Sequence, residues 1–274
     1  MACIVGGFCL PHVPLIAGAP DAVPVEKAKR VHAGFTHIRN SIERLNADAV
    51  IVVGDDHCAM FNPSCQPSIL IGIGDLEGPI ESWLHIPREP VPNHSELAEH
   101  IMSFGFESGF DWGVAKTLAL DHSTVIPIHF AVPKGLPVVP IYISSGMEPF
   151  IRGKRCKQLG EMLGRAVSAW PGAERIVILG TGGISHWVGM ADMGSVNEEF
   201  DRRILGLVNN NDVDALVSLT DREIIDHAGN GALEVRNWIV AMAALPQAIP
   251  RLILYEPVVE WITGLGFVEL EVAA

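Results

Sequence analysis

Two apolar runs near the start of the chain each end in a turn that carries a histidine. Residues 49–54 form an apolar, β-branched run, which predicts a buried strand, and Asp55-Asp56-His57 follow it directly. Residues 2–8 form a second such run, which leads into Leu10-Pro11-His12. Open α/β sheets gather ligands beyond the carboxyl ends of their strands. We therefore expect His12 and His57 to reach one crevice.

The rest of the chain alternates between helical and strand-like patterns. Apolar residues recur at spacings of three and four over about 25–45, which predicts a helix. Further strands are predicted at 69–73, 138–143, 175–179, 252–255 and 267–272. Further helices are predicted at 95–104, 154–169, 198–208, 213–219, 221–226 and 233–244. Pro140 favours an edge or bulge position for its strand. The alternation predicts an α/β fold with three layers.

The predicted elements give no reason to divide the chain. Its 274 residues could form one large domain or two modest ones, but no linker rich in Ser, Gly or Pro separates two halves. We therefore expect a single domain over 1–274. A polar, proline-rich stretch at 74–93 has no periodicity and predicts a lid, a binding loop or a partner surface.

Composition excludes several classes of partner. A formal net charge of −13 disfavours nucleic acid and anionic membranes as partners. No apolar run approaches the length of a membrane span, so we expect a soluble protein. The five cysteines form no C-x-x-C pair, and no signal peptide is recognisable, which favours reduced thiols in the cytoplasm. Cys58 follows His57, and we interpret it as a packing residue rather than a ligand.

Four of the eleven histidines stand out by position. His12, His57, His122 and His186 each follow an apolar run or lie in a turn with Gly or Asp, where α/β sheets place their chemistry. Five others lie in polar or helical segments and are expected to be structural: His32, His37, His94, His100 and His227.

Two imidazoles and a carboxylate would form a metal site. On Fe(II), this ligand set leaves positions for a substrate and dioxygen together, and on Zn(II) it supports activation of water. His12 and His57 could supply the imidazoles, and Glu234, at the start of a predicted helix, could supply the carboxylate. The alternative for Glu234 is an acidic residue that only stabilises a helix N-terminus.

Glycines follow another predicted strand at Gly180-Thr181-Gly182-Gly183. They could form a phosphate-binding nest, although they match neither common phosphate-binding pattern. The simpler interpretation is a turn that brings Ser185-His186 close to a ligand.

As a set, these motifs resemble a known enzyme family. Leu10-Pro11-His12, Gly54-Asp55-Asp56-His57, Leu120-Asp121-His122, the segment 180–187 and Gly229-Asn230-Gly231 with Glu234, Asn237 and Trp238 are similar to class III extradiol ring-cleaving dioxygenases. This family includes the protocatechuate 4,5-dioxygenase β subunit. The motifs keep the family's order over nearly the whole chain.

The resemblance implies a fold, a cofactor and residue roles. The fold would be a single three-layer αβα sandwich with a mixed, mostly parallel central sheet. Fe(II) would be held by His12, His57 and Glu234. His186 would be the acid/base histidine and His122 a second histidine near substrate and oxygen. Asp121 and Asp56 could orient neighbouring imidazoles.

The resemblance also implies partners. The substrates would be a small catechol-type or aminophenol aromatic and O2. Some relatives pair with a small α subunit that caps the site, so the partner would be either such a subunit or further copies of this chain in a homo-oligomer. Arg88 could meet a substrate carboxylate or remain on the surface. Asp55 is a departure, because some relatives have Asn two residues before the second metal histidine.

Two other functions remain open from the sequence. A zinc-dependent hydrolase could use the same two histidines and glutamate, since a ligand set does not name its metal. A binding module without catalysis could share the fold.

Overall fold

The computed structural model describes residues 1–273, and nine strands in this range form one sheet. They are β1 (Cys3–Leu10), β2 (Ala49–Gly54), β3 (Ile69–Gly78), β4 (Glu89–Val91), β5 (Gly113–Ala119), β6 (Val138–Ile143), β7 (Arg175–Thr181), β8 (Ile249–Val258) and β9 (Thr263–Glu271). The spatial order is β4-β3-β6-β2-β7-β1-β9-β8, and β5 pairs with β3.

The central strands β6, β2, β7 and β1 run parallel, and the outer pairs are mostly antiparallel. The sheet is therefore mixed with a parallel centre, as the resemblance implied. The carboxyl ends of β2, β7 and β1 meet at one edge, so the turns that follow these strands become neighbours.

Helices cover both faces of the sheet. They are α1 (Leu15–Gly18), α2 (Val25–Arg44), α3 (Ser95–Glu107), α4 (His122–Ala131), α5 (Gly153–Ala169), α6 (Glu198–Asn209), α7 (Val213–Ser218), α8 (Asp221–Ala228) and α9 (Val235–Ala244), with short 3-10 turns at Pro20–Ala22, Gly231–Glu234 and Val259–Trp261. The longer predicted helices are confirmed to within a few residues at their ends. No helix among residues 1–273 has both the length and the apolar character that a bilayer crossing requires.

Two hydrophobic cores lie on opposite sides of the sheet. In β2, Val50 and Val52 pack into the core beneath α2 and α4, while Ile51 and Val53 pack into the core beneath α3, α5 and α9. Side chains of a strand alternate between its faces, so a strand buried on both faces is apolar throughout. This is why the run 49–54 shows no polar alternation. The three-layer α/β prediction is confirmed.

The edge prediction for the strand that contains Pro140 is wrong. β6 lies inside the sheet, between β2 and β3. Its pairing with β3 covers only Ile141 to Ile143, so the missing N–H of Pro140 falls where that ladder has already ended. The side chain of Asn93 donates instead to two carbonyl oxygens of β3, those of Gly72 and Gly74, at 3.2 and 2.7 Å.

The stretch 74–93 is more regular than expected. β3 continues to Gly78, and β4 pairs with its far end. β5, which alternates polar and apolar residues on an exposed flank, was not predicted. β8 and β9 are several residues longer than predicted. Arg88 pairs with Glu77 on the surface, which agrees with the solvated alternative for this arginine.

The core beneath α2 is testable through Phe267. This fully buried ring packs edge-on against Phe35 of α2, with ring centroids 5.0 Å apart. We predict that Phe267→Ala lowers the free energy of unfolding by about 3–5 kcal/mol, because it leaves a cavity. The measurement is urea denaturation followed by circular dichroism. Val25→Ala, at a largely exposed site on α2, is the control. It should change the free energy of unfolding by less than about 0.5 kcal/mol. Equal losses in both variants would contradict this account of the core.

Candidate metal centre

The candidate site lies at the carboxyl ends of β1, β2 and β7. His12 follows β1 by two residues, His57 follows β2 by three, and His186 follows β7 by five. Glu234 comes from the far end of the chain, from the 3-10 turn that precedes α9. The helix reaches β7 closely because Gly180 has no side chain: a Cβ there would lie 2.5 Å from the main-chain oxygen of Asn237. The structure thus brings together residues from four distant segments.

The Glu234 carboxylate is the meeting point of this site. Its Oε2 lies 3.1 Å from His12 Nε2, and its Oε1 lies 3.2 Å from His57 Nε2 and 3.3 Å from His186 Nε2. The side chain is buried, yet burial is outweighed by His12 and His186, so the pKa of Glu234 falls well below its usual value. Glu234 is therefore an anion that faces three imidazoles.

The glycine turn after β7 binds this carboxylate. The Gly183 N–H donates to Glu234 Oε2 at 2.8 Å. The turn therefore binds an anion, as a nest would, but the anion is the chain's own glutamate rather than a phosphate. The turn also presents His186, as the simpler interpretation held. A Cβ on Gly231 would lie 2.1 Å from His186 Nε2, so a glycine is required there for the ring to fit.

The tautomer of His12 follows from its partner. Its Nδ1 lies 3.0 Å from Thr181 Oγ1, and that hydroxyl is also within bonding distance of the carbonyl oxygens of Val53 and Ser123. The hydroxyl has one proton, which it donates to a carbonyl, so it must accept from His12 Nδ1–H. In the neutral ring that binds a metal, His12 Nε2 then carries a lone pair, and this buried atom has no hydrogen-bond partner within the described residues.

His57 is oriented by Asp121, as predicted. Its Nδ1 lies 3.0 Å from Asp121 Oδ2, which leaves Nε2 to face Glu234. Burial would raise the pKa of Asp121, but the hydrogen bond from His57 and the charges of His122 and His57 lower it to about 2. Asp121 is thus a permanent anion behind the ring. The same role for Asp56 is wrong, because both of its oxygens accept from backbone amides, at Met60 and Phe61.

His122 is oriented by a residue that the sequence analysis missed. Glu81, from the stretch 74–93, accepts from His122 Nδ1 at 2.6 Å and from its backbone N–H at 3.1 Å. The rings of His122 and His57 lie 4.0 Å apart by their centroids. Burial and the charge of His57 lower the pKa of His122 despite Glu81. Nothing in an aperiodic polar stretch indicates which of its acids points inward.

His186 is held from both sides. Its Nδ1 donates to the carbonyl oxygen of Ile184 at 3.2 Å, so its Nε2 faces Glu234. Burial would lower the pKa of His186, but the charge and hydrogen bond of Glu234 raise it.

Buried Asp201 supports the turn by accepting from Ser185 N–H and Oγ–H and from the Tyr255 hydroxyl. Its signal in the sequence was an acid in the apolar stripe of α6 with Ile204, Leu205 and Val208.

Asp55 also faces this cluster. It is fully buried, its Oδ1 accepts from Asn237 Nδ2 at 3.0 Å, and its Oδ2 lies 3.9 Å from His57 Nε2. Burial raises the pKa of Asp55 to about 6. Cys58, by contrast, is exposed, so its expected role as a buried packing residue is wrong.

These residues fit a divalent metal ion. Donor atoms within 4.8 Å of one another occur in three groups of the described residues: His12, Asp55, His57 and Glu234; His12, His57 and His122; and Glu81, Asp121 and His122. The first group has two buried carboxylates, and in both of its imidazoles the Nδ1 is already bonded, which leaves the Nε2 atoms for a metal. A carboxylate behind a ligating histidine is typical of metal sites.

Comparison with known proteins identifies the family. Residues 6–266 match the family described as the catalytic LigB subunit of aromatic ring-opening dioxygenase. The match covers nearly the whole chain, and the chain belongs to this family. It is an extradiol aromatic ring-cleaving dioxygenase, an enzyme of a metal-dependent class.

Similar curated proteins share one activity in their names. The 2,3-dihydroxyphenylpropionate/2,3-dihydroxicinnamic acid 1,2-dioxygenase of Paraburkholderia xenovorans is 26% identical, covering 94% of this chain and 95% of its own. That of Photorhabdus laumondii is 23% identical, covering 96% of each. The crystal structure of an uncharacterized protein, JW3007 from Escherichia coli K12, superposes with a TM-score of 0.60 at 13% identity, covering 97% of this chain and 99% of that one. This last likeness concerns the fold alone.

The hydrogen bond behind His12 can be tested with Thr181. We predict that Thr181→Val weakens binding of a divalent metal about 10- to 100-fold, because His12 Nδ1–H loses its acceptor and the ring loses its orientation. The measurement is competition with a chelator under anaerobic conditions. Thr181→Ser keeps the hydroxyl and should bind metal like the unmodified protein. Equal metal affinity in the Val and Ser variants would contradict the orientation that we assign to His12.

Proposed function

We propose that this chain is an Fe(II)-dependent extradiol dioxygenase in which His12, His57 and Glu234 hold the iron. One observation carries the proposal: two imidazole Nε2 atoms meet a buried carboxylate, at 3.1 and 3.2 Å, while the other nitrogen of each ring is already bonded. Two histidines and one carboxylate are the ligand set of non-haem Fe(II) enzymes that bind substrate and O2 together. The family membership favours this over the zinc-dependent hydrolase.

The iron, when bound, would supply adjacent positions for a catechol-type substrate and dioxygen and pass electrons between them. The residues around the iron would bind the substrate and transfer protons. His186 Nε2 would accept a proton from a substrate hydroxyl and later return one, because His186 Nδ1 is committed to the Ile184 carbonyl. Its buried position beside Glu234 keeps this nitrogen at the reacting groups rather than in solvent.

His122 would bind the substrate or oxygen from the other side. With Nδ1–H donated to Glu81, only Nε2 remains, and the ring packs against that of His57. The lowered pKa of His122 favours a neutral ring near neutral pH. Two imidazoles with pKa values shifted in opposite directions can take different proton-transfer roles. We therefore propose His186 and His122 as the catalytic pair.

The substrate that we propose is a small catechol-type aromatic, with aminophenols as a related class. Relatives named for 2,3-dihydroxyphenylpropionate make this compound one member of a suitable test panel. Arg88, which pairs with Glu77 on the surface, gives no support to a carboxylate-binding role.

Further proposals concern the organisation of the protein. We propose that the whole chain acts as one catalytic domain, which the match over 6–266 and the shared sheet support. Exposed Val188, Met190 and Met193 follow His186 and would suit a capping α subunit or a second copy of the chain. Five free cysteines support a reducing compartment such as the cytoplasm.

Two substitutions separate metal binding from catalysis. We predict that Glu234→Ala loses the iron, because the carboxylate is a ligand. We predict that His186→Ala keeps near wild-type iron content but lowers kcat about 100- to 10,000-fold, since it removes proton transfer. The measurements are iron content by mass spectrometry and oxygen uptake with a panel of catechols, protocatechuates and aminophenols.

The same assay tests the proposed activity. Anaerobic reconstitution with Fe(II) should give a coloured ring-opened product, with one O2 consumed per substrate. Full iron content in Glu234→Ala would refute its ligand role, and iron loss in His186→Ala would place His186 among the ligands. Hydrolysis with Zn(II) and no oxygen uptake would favour the hydrolase.

Glu81 can be tested as a positioning residue. Glu81→Gln should leave iron content unchanged and lower kcat about tenfold, because His122 loses its charged partner. The carboxylate raises the pKa of His122, so its removal should move the limb of the kcat–pH profile that reports His122 to lower pH. Glu77→Gln, a surface change on the same stretch, is the control. An unchanged kcat and pH profile in Glu81→Gln would contradict the positioning of His122 by Glu81.

A further inference from the structure

Asp55 has a carboxylate oxygen that no protein group satisfies. The side chain is fully buried, and its Oδ1 accepts from Asn237 Nδ2 at 3.0 Å. Its Oδ2 has no hydrogen-bond partner within the described residues. A buried carboxylate oxygen without a donor is costly, and such atoms usually face an ion or a water.

The role of Asp55 is not that of a turn residue. Its neighbour Asp56 holds the turn, because both oxygens of Asp56 accept backbone N–H groups, from Met60 and Phe61. Asn237 in turn fixes Asp55, since its Nδ2 also donates to the Thr181 carbonyl oxygen at 2.7 Å. The orientation of Asp55 is therefore set by α9, the helix that begins directly after Glu234, with Oδ2 left without a partner among the described residues.

The free oxygen lies within reach of an ion held by the other ligands. Asp55 belongs to the same four-residue group as His12, His57 and Glu234, and its Oδ2 lies 3.9 Å from His57 Nε2. Two atoms bound to one ion at about 2.1 Å can be at most about 4.2 Å apart, so this separation is compatible with a shared ion.

We propose that Asp55 Oδ2 is a fourth protein ligand of the metal ion in the substrate-free enzyme. This inference rests on the proposed metal site of His12, His57 and Glu234. The charges support it, because the carboxylates of Asp55 and Glu234 together neutralise a divalent ion in a buried site, where an uncompensated charge is unfavourable.

A fourth ligand has a consequence for substrate binding. An octahedral ion with four protein ligands has two open positions, one fewer than a chelating diol and dioxygen need together. Asp55 must therefore release the ion when the substrate binds, while Asn237 retains its Oδ1. The substrate and oxygen would then share the ion only after Asp55 has released it.

The number of water ligands tests this inference without turnover. The probe is Mn(II) bound to the substrate-free protein, with water ligands counted by EPR line broadening in ¹⁷O-enriched water. Asp55→Asn can keep the bond to Asn237 while its remaining amide nitrogen cannot bind a metal, and Asp55→Ala removes the group. Both should show one more water ligand than the unmodified protein. Asp56→Asn removes the same charge one residue away and should show no gain.

The outcomes distinguish the ligand role of Asp55 from the existence of the metal site. An equal water count in Asp55→Asn, Asp55→Ala and the unmodified protein would overturn the ligand role of Asp55, even if metal affinity fell. Failure of the unmodified protein to bind one Mn(II), with Glu234→Ala behaving identically, would instead overturn the metal site itself. Addition of a catechol under anaerobic conditions should abolish the difference between Asp55→Asn and the unmodified protein.

Discussion

The site depends on one buried carboxylate shared by three imidazoles. Glu234 lies within 3.3 Å of nitrogens from His12, His57 and His186, and a backbone N–H from the turn after β7 fixes its second oxygen. A buried anion is unfavourable unless it is paired and hydrogen-bonded. The three imidazoles and the Gly183 N–H therefore offset the burial of the Glu234 charge, and a divalent ion would satisfy the same group more completely.

The orientation of the imidazoles comes from the groups bonded to their Nδ1 atoms. Each of the four rings has its Nδ1 bonded to a group fixed by the fold, which leaves its Nε2 for chemistry; these partners are Thr181, Asp121, Glu81 and the Ile184 carbonyl. Parallel strands place their carboxyl ends at one edge, so short turns suffice to bring the rings together. Such fixed orientation is what a metal site and a proton-transfer pair require.

The sequence predicted the parts of the site that follow local rules. Buried strands followed by His12 and His57 could be recognised, because strands covered on both faces are continuously apolar. Glu81 could not, since an inward-facing acid in an aperiodic stretch has no local signal. The edge position expected from Pro140 was wrong because a missing N–H is unfavourable only where a neighbouring strand would accept a hydrogen bond from it. The pairing of β6 with β3 ends before Pro140, and the sequence of β6 alone does not show where that pairing ends. Asp201 was detectable only as an acid on an apolar helix face.

Location of the metal ion would test the central claim most directly. Crystals grown anaerobically with Fe(II) and measured at the iron absorption edge should show one anomalous peak, bonded to His12 Nε2, His57 Nε2 and the Glu234 carboxylate. A peak held instead by Glu81, Asp121 and His122, the other mixed acid and histidine group, would contradict the account. So would crystals with iron only on the surface and Glu234 still paired with its three histidines.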